Sequence, residues 1–125
     1  MILEALLIMS IIFLSFVPHE LAHILMFKYY GVSSHLKLSR SAYGRMGVLS
    51  IGVIPNDESS LDNLNRKDIG IIAASGGVAG TIFVIVCYLL LSSLLTIVGN
   101  MFLIFVIGYN LLYTVWETKF NLNLN

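Results

Sequence analysis

From Ile69 to Trp116 the chain runs for 48 residues without one Asp, Glu, Lys or Arg. No ordinary soluble fold offers that much uncharged surface. A bilayer does, and a spanning helix needs about 20 apolar residues. The tract is too long for one span and suits two, dividing near Val98-Gly99-Asn100, where Gly and Asn favour a turn. An earlier tract, Ala5 to Phe27, carries a single formal charge, Glu20. The reading is three spans at about 3–27, 70–96 and 101–118, joined by a loop over 28–69. The expected fold is an all-α polytopic membrane protein. A small β-rich segment, cytoplasmic or re-entrant, separates its first two helices.

The rest of the composition agrees. Charged residues make up 11 % of the 125, against about 25 % in a soluble domain. This argues against a water-soluble enzyme and a disordered chain. Seven basic and seven acidic side chains leave no net positive field, so nucleic acid is not an expected partner. The length allows one domain. One cysteine, Cys87, excludes an intrachain disulfide and reads as packing in the second span.

Ten of the fourteen charges fall between Lys28 and Asp68. Six of the basic residues, Lys28, Lys37, Arg40, Arg45, Arg66 and Lys67, share this loop. With three spans the loop and Lys119 lie on one side, which the positive-inside tendency makes cytoplasmic. Within the loop, 35–38 and 47–54 read as strands, with Tyr43-Gly44-Arg45 as a hairpin turn. Residues 56–68 read as a polar turn or helix start, and 121–125 as a frayed end. The first tract has neither a basic n-region nor a small-residue cleavage site, so it is expected to stay in the mature protein.

The first span also holds the most specific motif. His19-Glu20-Leu21-Ala22-His23 fits H-E-x-x-H. On a helix the two histidines share a face and can ligate one Zn²⁺. Glu20 lies about 100° further round. From there it can act as general base on a zinc-activated water and then return the proton to a leaving amine. An ionisable group in the bilayer interior costs roughly 2.5–3.5 kcal/mol on insertion scales, so it is functional by default. Pro18, just before the motif, cannot donate a backbone hydrogen bond and is expected to kink or loosen the span. His35, in a strand with polar neighbours, is expected to stay off the metal.

Phe16-Val17-Pro18-His19-Glu20-Leu21-Ala22-His23, followed by Phe27-Lys28-Tyr29-Tyr30-Gly31-Val32, resembles the zinc helix of the site-2 family of intramembrane metalloproteases. The β-rich segment, the small-residue run Ala73–Gly80 and Gly108-Tyr109-Asn110-Leu111-Leu112 follow in that family's order. The resemblance covers almost the whole chain as a three-span core. It departs at two points: no Pro follows Gly76, and no Asp-Gly follows Asn110. Where the family places its metal-binding Asp stands Thr118. Glu117 is adjacent, seven residues after Asn110 and on nearly the same helix face. Three sources of the third ligand stay open: Glu117; one of Asp57, Asp62 and Asp68 folding back; or a segment beyond Asn125.

The resemblance implies a zinc endopeptidase that cuts single-span membrane proteins. His19, His23 and Glu117 would be its ligands, Glu20 its base, and Asn110 a substrate- or oxyanion-orienting residue. Strand 47–54 would hold an extended substrate by strand addition. The alternative reading of Asn110 is a helix–helix hydrogen bond. Gly76, Gly77 and Gly80 are read as allowing close helix packing rather than taking part in catalysis. His23 precedes Lys28 by about 7.5 Å of helix rise, which sets the metal near the cytoplasmic edge. Two other readings stay open: an inactive relative that binds membrane helices, and a small membrane scaffold. Three spans leave enough lateral surface for self-association.

Overall fold

The computed structural model describes residues 1–40 and 49–124. Three long helices dominate: α1, Ile2–Tyr29; α2, Arg66–Leu91; and α3, Ile97–Leu124. Each is long and apolar enough to cross a membrane. Between α1 and α2 lie two antiparallel strands, β1, Ser34–Arg40, and β2, Leu49–Pro55. Leu36 faces Val53 and Leu38 faces Ile51 across the ladder. The expected turn at Tyr43-Gly44-Arg45 lies outside the described residues.

Local chemistry sets the boundaries. Gly31, at φ +75°, takes the left-handed conformation that ends a helix. The N–H groups of Tyr30 and Val32 then close on the carbonyls of Met26 and Phe27. The hairpin base is tied by Asn56 N–H to the Ser33 carbonyl at 2.8 Å and by the His35–Asn56 side-chain pair. A 3-10 turn, Glu58–Asn63, follows, capped by Asp57. Hydrogen bonds from Ser59 N–H and Oγ hold the Asp57 carboxyl below its ordinary range. Asn65 and Asp68 form a reciprocal capping box at the start of α2.

α2 packs along both other helices, while α1 and α3 touch each other little. Two apolar clusters result. Ile8, Ile11, Val84, Leu95 and Leu103 fill the end near the α2–α3 turn, and Phe27, Val32 and Ile72 fill the end beneath the hairpin. The layer between them is polar or small: Glu20, His23, Gly76, Gly77, Gly80, Thr81 and Thr114 are buried there. Leu6, Phe13, Val17, Leu21, Leu90 and Leu112 point outward and are more than half exposed. Polar groups inside and apolar ones outside reverse the soluble pattern.

Two sequence expectations are corrected. The break between the second and third helices is at Ser92–Leu95, not at Val98-Gly99-Asn100. Asn100 sits inside α3, and its amide donates to the carbonyls of Ser92, Leu95 and Thr96 at 3.0–3.3 Å. Residues 121–124 are helical rather than frayed, since α3 continues to Leu124, and Asn125 lies outside the described residues. There Asn121 Nδ2 donates to the Glu117 carbonyl, and Leu122 packs over Gly70. Pro18 lies within α1.

Candidate metal centre

The H-E-x-x-H spacing works on α1 as the helical period requires. Both imidazoles lie on one face, and their Nε2 atoms are 3.2 Å apart. Two Zn–N bonds of about 2.0–2.1 Å at a tetrahedral angle require a separation of about 3.3–3.4 Å. Glu117 reaches this pair from α3, with Oε2 4.0 Å from His19 Nε2 and Oε1 4.0 Å from His23 Nε2. Among the described residues these three are the group able to hold a metal ion, with ligand atoms all within 4.8 Å of one another.

The tautomer of His23 is fixed by its surroundings. Nδ1 lies 2.9 Å from the Ile72 carbonyl, which can only accept. Nδ1 therefore carries the proton, and Nε2 offers its lone pair to the centre. Ser75 Oγ donates to the same carbonyl at 2.7 Å. His19 stacks in parallel with Phe16, ring centres 6.5 Å apart.

Glu20 sits beside the centre without joining the ligand group. It is 7 % exposed, and Oε1 is 3.8 Å from His19 Nε2. The Val53 backbone N–H donates to this carboxylate. The Oε2 atoms of Glu20 and Glu117 are buried without a hydrogen-bond partner, and the two carboxylates repel each other. Buried charges are normally paired or metal-bound. Two imidazoles and one carboxylate fit zinc in number and type, and the neighbouring Glu20 carboxylate would bring the total charge with a divalent ion to zero.

The other expected residues separate clearly. Thr118 Oγ1 donates to the Thr114 carbonyl at 2.7 Å, leaving the carboxylate to Glu117. Asp57 and Asp68 are engaged in helix caps, Asp62 is exposed, and His35 pairs with Asn56. Asn110 lines the cleft together with the centre, and its carbonyl accepts from Thr114 Oγ1. The cleft holds about 840 Å³ and is walled by Phe13 and Phe16 of α1, by Tyr109, Tyr113 and Phe120 of α3, and by Gly52–Pro55 of β2.

Several groups at the site escape sequence reading. The Val53 N–H and Ile72 carbonyl are backbone groups with no side-chain signature. The glycines of α2 were read as packing only, yet they face the centre. A methyl on Gly76 would overlap the His23 ring, and one on Gly77 would overlap Thr114. Their spacing relative to the histidines was the one available signal. Comparison with protein-family models, curated proteins and solved structures finds no match.

Proposed function

We propose that this chain is an intramembrane zinc endopeptidase of the site-2 type, cleaving membrane segments of single-span proteins. One observation carries the reading: two histidines of α1 and a carboxylate of α3 converge beside a buried glutamate that is not a ligand, inside an apolar-surfaced bundle. His19, His23 and Glu117 would hold the ion. When bound, zinc would supply Lewis acidity to the substrate carbonyl and acidify water. Glu20 accepts a proton from the water as its oxygen attacks the carbonyl carbon. As the C–N bond breaks, Glu20 passes that proton to the departing amine. Asn110, across the cleft, orients the substrate.

The substrate would approach between α1 and α3, the sparsely packed side of the bundle. Among the described residues no further strand lies along the outer edge of β2, which suits an unwound peptide added as a strand. The three helices would cross the bilayer, with 28–69 and the C-terminus on the cytoplasmic side.

Replacement of Glu20 by Gln tests the assignment in detergent-purified, zinc-loaded protein. Cleavage of a single-span substrate should fall by about 10²–10⁴-fold, the usual contribution of a general acid–base, with zinc retained. Unchanged cleavage overturns the role of Glu20. Stoichiometric zinc without cleavage by the native chain points instead to a helix-binding protein. Silent His19→Ala and His23→Ala variants point to a scaffold.

A further inference from the structure

We propose that the consecutive pair Gly76–Gly77 is the gauge of the metal centre, one glycine seating each half of the ligand set. The inference rests on the metal-binding reading above. Gly76 lies directly under the His23 imidazole: an added Cβ would collide with Nε2, and would lie 2.6 and 2.8 Å from Cδ2 and Cε1. The ring cannot yield while its Nδ1–H keeps the Ile72 carbonyl on the same helix. A methyl at this position forces the imidazole off that carbonyl and moves Nε2 out of register with His19.

Gly77 does the same for the opposite wall. An added Cβ there would collide with Thr114 Oγ1 and lie 2.7 and 2.9 Å from its Cβ and Cγ2. Thr114 is buried, and its hydroxyl is tied to the Asn110 carbonyl. Its Cβ is fixed to the α3 backbone, so the helix itself must move. Glu117 is one turn further along α3, on the same side. Displacing Thr114 therefore carries the third ligand away from the histidines. Two adjacent residues of α2 thus set the span between ligands of α1 and α3.

A general small-residue seam predicts something different. Gly80 belongs to the same stripe, but a Cβ there meets neighbours at 3.5–3.7 Å, ordinary contact. On these contacts Gly80→Ala is mild under either role; a packing seam loses stability at Gly76 and Gly77, whereas a ligand gauge loses metal affinity in a chain that still folds.

The test is Co²⁺ titration of the full chain in detergent, followed by visible absorption and by Zn²⁺ competition. Gly76→Ala and Gly77→Ala should each weaken metal binding by about 10–100-fold, as loss of an orienting partner does, and should alter the Co²⁺ spectrum. Gly80→Ala and Gly108→Ala should stay within about twofold of the native chain, below the orienting-partner effect. The double variant Gly77→Ala/Thr114→Gly moves the methyl across the interface and should recover affinity. Native affinity in both single variants overturns the inference, as does a fold restored by the double variant without affinity. Failure of Gly76→Ala and Gly77→Ala to fold also overturns it in favour of packing. A native chain that binds no Co²⁺ removes the metal reading itself, a result distinct from all of these.

Discussion

The two ends of the bundle use the same chemical group in opposite ways. At the turn end, Glu4 of α1 reaches across to the start of α3. There it accepts from Thr96 N–H at 2.8 Å and from Thr96 Oγ1 at 2.7 Å. Thr96 Oγ1 in turn accepts from Gly99 N–H, and Asn100 gathers three carbonyls. At the other end, Glu20 and Glu117 each keep a buried oxygen with no partner. A carboxylate engaged by local donors holds helices together. One left short of donors beside two imidazoles is a group that could hold a cation. Asn100 Oδ1 at the turn end is also buried without a partner, so what marks the centre is an unpartnered carboxylate beside two imidazoles rather than an unpartnered atom alone.

The sharpest way to break this comparison is Glu117→Ala. It should abolish measurable zinc binding, a loss beyond the roughly 10–100-fold typical of outer partners, while circular dichroism keeps its helical signal. Retained affinity would place the third ligand elsewhere. The next largest effect belongs to the turn end. Asn100→Ala strips three carbonyls of their shared donor and should cost about 1–3 kcal/mol in thermal or denaturant unfolding, with zinc affinity intact. Glu4→Gln keeps the shape but weakens acceptance from Thr96. It should lower the unfolding midpoint by less than Asn100→Ala and again spare the metal. If either turn-end variant shifts zinc affinity, the two ends are not independent.

The smallest effect is a pH dependence in the connecting segment. Asp57 is held below its ordinary range by the Ser59 hydrogen bonds. A depressed carboxyl binds fewer protons in the folded chain than in the unfolded one. Its stabilisation is complete above the ordinary Asp value of about 3.9 and is lost as pH falls through the lower folded value. Hydrogen exchange at the Ser59 amide should accelerate in that window relative to Asp57→Asn, which has no such titration.

What the sequence made legible follows from how far each signal reaches. His19, Glu20 and His23 declare themselves because one helix carries all three at a fixed period. Glu117 is reachable because it stands beside the position where a carboxylate was sought. The helix break was misplaced because Gly99 and Asn100 look like a turn. Asn100 instead serves the turn from within α3, and a side chain's reach is not written in its identity. The tail reads as frayed for a related reason: Asn121 bonds back to the Glu117 carbonyl within α3, and Leu122 packs on Gly70, a contact made only after α2 and α3 pack. The glycines were recognised as close-approach positions, but what approaches them is set by tertiary register.

The Glu4–Thr96 clasp has a mechanical consequence for the centre at the other end. From Thr96 to Glu117, α3 is an arm of about 31 Å, taking 1.5 Å per residue. Rotation about the clasp of only about 2° sweeps Glu117 through about 1 Å, the scale of misplacement that can cost a catalytic site about 10²-fold. A clasp that far away cannot by itself hold the candidate ligands so finely, so their spacing rests on the packing of α2 against α1 and α3 beside the centre, and loosening the clasp costs stability rather than affinity.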